Sequence, residues 1–138
     1  MERTLAILKP DCYKRKLVGA VLEKIEKAGF KLVAAKIIKL TKPMAESFYA
    51  IHREKGFFPD LIEFMTENRC LVAVIEKQNA VADYRKVMGS TDPANADEGT
   101  IRKEFAESIQ RNIVHGSDSP ENARREINFF FSESELLR

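Results

Sequence analysis

The chain has 138 residues, of which 44% are hydrophobic and 32% are charged, a composition typical of a globular domain and unlike that of a disordered segment. Its formal net charge of +2 is too small to indicate a nucleic-acid or membrane-surface protein, so an anion site would need local groups of Lys and Arg. The two cysteines, Cys12 and Cys70, match no metal-ligand spacing, which favours reduced thiols.

The N-terminal stretch MERTLAILKPD is charged on both sides of a short apolar run and lacks the features of a secretory leader. Apolar runs such as Leu71–Ile75 are far shorter than a membrane span. The sequence contains no linker, repeat or low-complexity tract. We therefore expect a single domain over residues 1–138, located in the cytoplasm.

In the first half of the chain, apolar periodicity and the positions of Gly and Pro predict two strands and three helices. One helix places its apolar residues on a single face and ends at Gly29, and Thr41 has the character of an N-cap. In order, the predicted elements are a buried strand over 4–9, a helix over 17–28, a long strand over 30–40, a helix from Thr41 to about Arg53 and a short helix from Pro59.

The predicted strand over 30–40 shows an alternating pattern with one interruption, at Lys36. Lys31 and Lys39 fall on one face. The apolar residues predicted to share the other face are Phe30, Leu32, Ala34, Ile38 and Leu40.

The second half of the chain continues the alternation of strands and helices. Its predicted elements are a buried strand over 70–76, a helix over 79–88, an irregular stretch over 89–99, a short helix over 100–106, a strand over 112–115 and a helix from Ser119-Pro120 to about Phe131. Irregular stretches as long as 89–99 are often functional in compact domains.

The order of these elements predicts the fold. Without the extra helices it is β-α-β-β-α-β, the ferredoxin-like α+β sandwich with a four-stranded, largely antiparallel sheet. The second strand, over 30–40, lies at an edge of the sheet in this topology.

The glycines exclude two common kinds of phosphate site. Each of the six is at least ten residues from the next, so the chain has neither a P-loop nor a Rossmann glycine motif. A phosphate would have to be bound by side chains, for which Lys9, Arg85 and Arg102 are candidates. Each of these taken singly is more often a solvated surface charge than a phosphate ligand.

His115 is the candidate nucleophile, although an isolated histidine at a strand end is most often structural. It precedes a turn and a helix started by Pro120, and Glu126 on that helix could reach the imidazole directly or through Ser117. A carboxylate on one ring nitrogen fixes the tautomer and leaves the other nitrogen free to attack. His52, in a charged segment, is interpreted as a surface residue.

The sequence resembles the nucleoside diphosphate kinase family over nearly its whole length. The motifs that carry the resemblance occur in the family's order and spacing, and RNIVHGSDS is the most specific of them. They are LAILKPD, FFP, YRKVMGSTDPA, GTIRKEFA and RNIVHGSDS.

This resemblance implies an enzyme that moves the γ-phosphate of a nucleoside triphosphate to a nucleoside diphosphate by a ping-pong mechanism. It implies that His115 is transiently phosphorylated, that Ser117 and Glu126 orient it, and that Tyr49 lies beside it. The implied nucleotide contacts are Lys9, Arg85, Thr91 and Arg102 for the phosphates, Asn112 with Lys9 for the ribose, Phe57 for the base, and Ile109 as an aliphatic cover of its other face.

The resemblance also implies a cofactor and an assembly. Mg²⁺ is expected to arrive with the nucleotide, held by phosphates and water without a direct protein ligand, with Asp118 near its water shell. The edge strand and the helix over 17–28 are expected to join dimers, which then build a tetramer or, preferably, a hexamer.

Several positions depart from the family pattern. Gln110 stands where glycine is usual, and Gly56 stands where proline is common. The segments TENRC and DPANAD replace the usual turns, and the C-terminus is shorter than in eukaryotic members. These departures affect the loops, the ribose end of the site and the assembly, and they remove no implied catalytic group.

Two other functions are weighed against this one. A nucleic-acid-binding module of the same fold would carry stacking aromatics on its central strands, and the predicted strands over 4–9 and 70–76 have none. A catalytically silent family member acting as a binding or regulatory protein would be expected to have lost some of the residues named above, and all are present.

Overall fold

A computed structural model of the chain describes residues 1–136 and contains one four-stranded antiparallel sheet in the order β2-β3-β1-β4. This confirms the ferredoxin-like α+β fold, with the second strand at one edge. The strands are Glu2–Leu8 (β1), Lys31–Ile38 (β2), Cys70–Lys77 (β3) and Val114–Gly116 (β4).

Seven α-helices connect and cover the strands in the described part of the chain. They are Pro10–Lys14 (α1), Val18–Lys27 (α2), Lys42–Phe48 (α3), Phe58–Thr66 (α4), Ala80–Met88 (α5), Ile101–Phe105 (α6) and Pro120–Phe130 (α7). Short 3₁₀ helices lie at Ala50–His52, Pro93–Asn95 and Glu133–Glu135.

The central strands of the sheet are buried on both faces, because their alternate residues belong to two separate clusters. On β1, Leu5 and Ile7 pack with residues of α3, α4 and α7, whereas Ala6 and Leu8 pack with residues of α2, α5 and α6. Strands covered on both sides read as continuous apolar runs, which is the pattern of β1 and β3.

The prediction that five apolar residues of the second strand share one face is wrong. Phe30 and Leu40 lie just outside β2 and belong to opposite core clusters, and Leu32 is 39% exposed. The cause is a register shift between Leu32 and Ala34, because one extra residue exchanges the faces of a strand.

The sequence pattern also missed helix α1. Pro10 does stop β1, but its fixed φ suits the first position of a helix as well as the end of a strand. As a result the chain turns immediately after Lys9, and the side chains of Lys9 and Asp11 lie buried at the end of β1.

Strand β4 begins two residues later than predicted, because Ile113 interrupts it. This buried residue has φ +76, in the left-handed region that β-branched residues strongly disfavour. The backbone N–H of Val114 donates to the carbonyl of Asn112 at 2.8 Å, so Ile113 is the central residue of a γ-turn in its rare form.

Both cysteines are free thiols buried in the core. Burial is the main cause that raises the pKa of each thiol to about 12. Across residues 1–136, none of the helices has the length and apolar character required to cross a bilayer.

Candidate active site

His115 lies on β4 beside the central strand β1, where it is paired with Ile7. Its Nε2 lies 2.8 Å from Glu126 Oε1, and the rings of Phe48 and Tyr49 pack against the imidazole in T-shaped arrangements with centroid distances of 5.7 and 6.4 Å. A carboxylate accepts a hydrogen, so Nε2 carries the proton and Nδ1 keeps its lone pair. The arrangement therefore presents an imidazole with one anchored and one free nitrogen.

Glu126 is held in place by two further groups. Ser117 Oγ donates to Oε1 at 2.9 Å, and Arg125 lies 3.6 Å from Oε2. Burial acts to raise the pKa of Glu126, but the hydrogen bonds from His115 and Ser117 and the nearby charges lower it below its usual value. The carboxylate is therefore ionised near neutral pH. Of the two alternatives that the sequence left open, Glu126 contacts His115 directly, and Ser117 bonds the same carboxylate oxygen.

Lys9 and Asn112 form a buried pair on the other side of the site. Lys9 Nζ donates to Asn112 Oδ1 at 2.8 Å, and Asn112 Nδ2 donates to the carbonyl of Thr91 at 3.3 Å. Burial is the main cause that lowers the pKa of Lys9 to about 8, with the charge of Arg102 acting in the same direction. A phosphate or ribose entering here would meet the Lys9 ammonium, whose positive charge is only partly neutralised by its surroundings.

Arg102 is buried and bonded to the backbone around it. Its Nη1 donates to the carbonyl of Gly89 at 3.0 Å, its Nη2 to that of Val114 at 2.8 Å, and its Nε to that of Asn112 at 3.4 Å. One N–H on each terminal nitrogen remains for a ligand. The side chain can thus fix the loops around the site and still present positive charge.

A cavity of about 630 Å³ connects these groups. Phe57 and Ile109 are apolar yet 50% and 60% exposed, which is the exposure expected of walls that receive a flat ligand. The residues that line the cavity are Lys9, Tyr49, His52, Phe57, Asp60, Leu61, Thr91, Arg102, Ile109, Gln110, Asn112, His115 and Gly116.

Four of the predicted site residues do not line this cavity. Two of them, Glu126 and Ser117, anchor His115 as described above, and the other two are Arg85 and Asp118. Arg85 lines an adjoining cavity of about 520 Å³, which shares Thr91, Arg102 and Gly116 with the first. Asp118 is exposed and accepts a hydrogen bond from Asn122.

The interpretation of His52 as a surface residue is wrong. It is partly buried, stacks on Tyr49 at 6.4 Å between ring centroids, lies 5.5 Å from Phe57 and lines the main cavity. Its segment ends in a 3₁₀ helix that turns the ring inward, and the charged sequence around it gave no indication of this. Asp60 and Leu61 were missed as well, although their position just after FFP was an available signal.

In the described residues 1–136, no three His, Cys, Asp or Glu side chains are grouped closely enough to hold a metal ion. The polar groups that line the cavity are instead cations, amides, imidazoles and hydroxyls, with the carboxylate of Asp60 beside them. This composition fits a metal that enters on the phosphates of a ligand and does not fit a resident metal.

Comparison with known proteins gives concordant results. A family model described as nucleoside diphosphate kinase matches residues 2–136. The nucleoside diphosphate kinase of Chlorobium limicola is 57% identical over 138 residues, covering 100% of this chain and 99% of that protein. The one from Salinibacter ruber is 56% identical over 136 residues, covering 99% of this chain and 96% of that protein.

Solved structures agree with the sequence comparison. The Aquifex aeolicus nucleoside diphosphate kinase, in an orthorhombic crystal form, superposes with a TM-score of 0.96 at 38% identity, covering 99% of both chains. The halophilic nucleoside diphosphate kinase of Halobacterium salinarum, in complex with CDP, gives a TM-score of 0.95 at 35% identity, covering 99% of this chain and 91% of that one. The chain therefore belongs to the nucleoside diphosphate kinase family, a family of phosphotransferases that act on nucleoside diphosphates.

Proposed function

We propose that the chain transfers the γ-phosphoryl group of a nucleoside triphosphate to a nucleoside diphosphate through His115 Nδ1. The observation that supports this most directly is the 2.8 Å contact between His115 Nε2 and Glu126, which leaves Nδ1 as the free nitrogen. The Nδ1 lone pair forms a bond to the γ-phosphorus while the bond from that phosphorus to the β,γ-bridging oxygen breaks, and the diphosphate leaves. Attack by a β-phosphate oxygen of the acceptor diphosphate then restores the histidine.

Glu126 contributes to this step without receiving the phosphoryl group. As Nδ1 forms a bond to phosphorus, positive charge develops on the ring, and the ionised carboxylate on Nε2 stabilises that charge. Ser117 holds the carboxylate through its hydrogen bond to the same oxygen. Tyr49 and Phe48 limit rotation of the ring from the side.

We assign binding of the nucleotide phosphates to Lys9, Thr91, Arg102 and Arg85. The two cavities share Thr91 and Arg102, so a chain of phosphates that starts near His115 can extend from one cavity to the other. Asn112, held by Lys9, is assigned to the ribose hydroxyls. Phosphoryl transfer depends mainly on fixed cations of this kind.

The base is proposed to lie between Phe57 and Ile109. Stacking on an aromatic ring does not depend on the identity of the base, so purine and pyrimidine diphosphates should all be accepted, with purines somewhat better. Gln110 lines the same cavity and is the first residue to test if one class of base is rejected.

Members of this family use a divalent cation. We propose that the cation here is Mg²⁺, bound to the nucleotide and entering as part of the substrate. Asp118, exposed beside the site, is the carboxylate proposed to contact its water shell.

The test is incubation with γ-labelled ATP. Wild-type protein should take up label in an acid-labile form, since phosphohistidine is acid-labile and phosphoserine is not. His115→Gln should fold normally and take up none, whereas the control His52→Gln should still be labelled. Full labelling of His115→Gln would exclude the mechanism, and an unlabelled wild-type protein would favour a catalytically silent member that acts by binding.

We also propose a homo-oligomer built from dimers joined through β2 and α2, with a hexamer favoured over a tetramer. The free edge of β2 offers unpaired backbone groups, and Ile37 on this strand is 53% exposed. Light scattering should therefore give a mass well above 15.7 kDa. Ile37→Glu should lower that mass, whereas Ile51→Glu, at an exposed site away from the strand, should not; a stable wild-type monomer would exclude the proposal.

A cytoplasmic location remains the expectation for this protein. Its two thiols are free and buried, which suits a reducing compartment. Fractionation of cells that express the chain would test this directly.

A further inference from the structure

The γ-turn centred on Ile113 lies between two groups of the proposed site. Asn112, on one side of the turn, is bonded to the Lys9 ammonium at 2.8 Å, and His115 follows two residues after Ile113. A left-handed conformation is unfavourable for isoleucine and persists only where the surrounding structure enforces it. What enforces it therefore also determines how Asn112 and His115 are placed relative to each other.

The junction between β1 and α1 holds both polar groups of the Ile113 backbone. The carbonyl of Ile113 accepts from the Lys9 backbone N–H at 2.8 Å, and its N–H donates to Asp11 Oδ2 at 3.1 Å. The first contact continues the β1 ladder, but the second depends on a side chain. Asp11 is only 2% exposed, so its carboxylate is directed into the protein and is not a surface charge.

Burying a carboxylate is costly, and the proposed chemistry gives Asp11 no contact with the nucleotide. Burial raises the pKa of Asp11, an effect opposed by the Ile113 amide and by the charge of Lys9. Asp11 is also absent from the lining of both cavities. The Asp11 carboxylate thus contacts the strained turn but does not reach the cavities. Any effect that it has on the site must therefore act through the backbone around Ile113.

We propose that Asp11 is a positioning residue, which holds Ile113 in its left-handed turn and thereby fixes the separation of Asn112 and His115. The proposal rests on the proposed function for its kinetic consequence, but the contact with the turn can be tested without it. It adds to the site a residue from the motif KPD that makes no contact with the reacting atoms.

Two conservative variants separate geometry from charge. Asp11→Asn keeps an oxygen acceptor at the same distance from the Ile113 N–H and removes the charge that helps keep Lys9 protonated. At about pH 6, where Lys9 stays charged in either variant, kcat/KM should therefore stay within about threefold of wild type. Asp11→Glu keeps the charge and displaces the acceptor by one methylene, so kcat should fall between about tenfold and about 100-fold, as expected when reacting groups are misplaced by about 1 Å. If Asp11→Asn lost more activity than Asp11→Glu, the charge beside Lys9 would be what matters, and the proposal would be overturned.

A second substitution tests whether turn strain is the link. Glycine adopts positive φ without strain, so the turn in Ile113→Gly should form without the contact from Asp11. The double variant of Asp11→Glu with Ile113→Gly should then recover most of the kcat lost by Asp11→Glu alone, even though the removed side chain lowers stability. Equal losses in the single and double variants would mean that Asp11 acts in some other way.

Val21→Ala is the matched control, since Val21 packs in the same core cluster as Ile113 but lies far along the chain from the turn. It should lower thermal stability and leave kcat and KM unchanged, which separates positioning from general destabilisation.

Amide hydrogen exchange completes the test because it needs no nucleotide. The Ile113 N–H should be protected in wild type and in Asp11→Asn, and should exchange at least about tenfold faster in Asp11→Glu. If wild-type protein is not labelled by ATP, the proposed function fails while this measurement still decides whether Asp11 holds the turn. Unchanged protection in Asp11→Glu would overturn the proposal whatever the activity.

Discussion

Gly116, the residue that follows His115, lies so close to Tyr84 that a β-carbon at position 116 would be 2.7 Å from Tyr84 Cδ2. The same β-carbon would be 2.7 Å from Met88 Cε. The methionine could move, but the ring of Tyr84 is buried in the core and has little freedom. Strand β4 can therefore approach α5 only because position 116 lacks a side chain.

We expect Gly116→Ala to push β4 away from α5 and to lower the free energy of unfolding by about 1–3 kcal/mol, the usual effect of overpacking. Phosphorylation of His115 should become slower as well, because His115 lies on the displaced strand. Urea unfolding and ATP labelling measure the two effects. Gly19→Ala is the control, since nothing lies within 4 Å of a β-carbon there. A neutral Gly116→Ala would show that α5 yields more easily than its packing suggests.

Glu126→Gln should reduce the pH dependence of stability on the acid side. The folded-state pKa of Glu126 is below its ordinary value of 4.5, so its contribution is present above about pH 4.5 and is lost as the pH falls through the folded-state pKa. At neutral pH the variant should be less stable by about 1.5–3 kcal/mol, as for a lost hydrogen bond to a buried charge. Below about pH 4 the difference should shrink.

Urea unfolding at neutral and acid pH measures this effect. Glu54→Gln, at an exposed position, should leave the acid limb unchanged. A Glu126→Gln variant whose stability tracks wild type at every pH would contradict the assignment of an ionised, bonded carboxylate.

Lys9 should impose an alkaline limit on activity. Its pKa of about 8 applies to the protein without nucleotide, so kcat/KM should fall about tenfold per pH unit above that value as the ammonium loses its proton. The profile of kcat should stay flat to higher pH, because bound phosphates favour the charged form. Lys9→Arg keeps the charge throughout and should abolish the alkaline limb, whatever its overall rate.

The same lowered pKa has a consequence for stability. Between about pH 8 and the ordinary lysine value of 10.5, Lys9 binds fewer protons in the folded state than in the unfolded state, so its own contribution to the free energy of unfolding should rise with pH across this window. Above about pH 9 the two buried thiols act in the opposite direction, because the unfolded chain ionises them first. Lys9→Met should lack that rise. A difference in free energy of unfolding between wild type and Lys9→Met that stays constant over the window would indicate a Lys9 pKa near its ordinary value.

The loop over 106–112, which carries Ile109 and Gln110, is tied to helix α4 by a bidentate ion pair. Arg111 Nη1 and Nη2 lie 3.1 and 3.3 Å from the two Glu67 oxygens, and the guanidinium lies 5.0 Å from the centroid of the Phe64 ring. Glu67 belongs to TENRC, one of the segments that departs from the family pattern. This segment therefore supplies an attachment for the loop.

Glu67→Gln should barely change stability, by about 0–1 kcal/mol, because the pair is largely exposed and screened by salt. It should raise KM for diphosphates by up to about fivefold, since a free energy of about 1 kcal/mol in ordering the loop corresponds to that factor. Lys27→Met removes a comparable exposed pair, with Glu23, away from the site and should change neither quantity. An unchanged KM for Glu67→Gln at low salt would exclude a role for the pair in base binding.

The fold was predictable because its central strands and main helices carry continuous signals. The buried apolar runs predict β1 and β3 as strands, and the apolar face predicts α2 as a helix, with no competing interpretation. The order of strands and helices along the chain then specifies the topology of the sheet. The errors occur where a local pattern has two meanings. Pro10 suits both the end of a strand and the start of a helix, and the bulge near Leu32 exchanges the two faces of β2 at a position where the sequence pattern gives no sign of it.

The candidate site was predictable in part for similar reasons. Glu126 lies eleven residues from His115, so a strand, a turn and a helix are enough to bring them together. The inward direction of His52 depends on the packing of Tyr49 and Phe57 around it, and no sequence pattern encodes that packing. The left-handed conformation of Ile113 is even less predictable, because β-branched residues disfavour that conformation strongly.

The two buried thiols make the chain a convenient host for spectroscopic probes. Alkylating reagents attack thiolates, and neither Cys12 nor Cys70 forms one readily, because burial raises the pKa of each to about 12. A cysteine introduced at exposed Ile51, on the 3₁₀ helix beside the main cavity, should therefore take up a maleimide dye selectively in the folded protein. Movement of the wall that carries Phe57 could then be followed by fluorescence as nucleotide enters, without first removing the native cysteines.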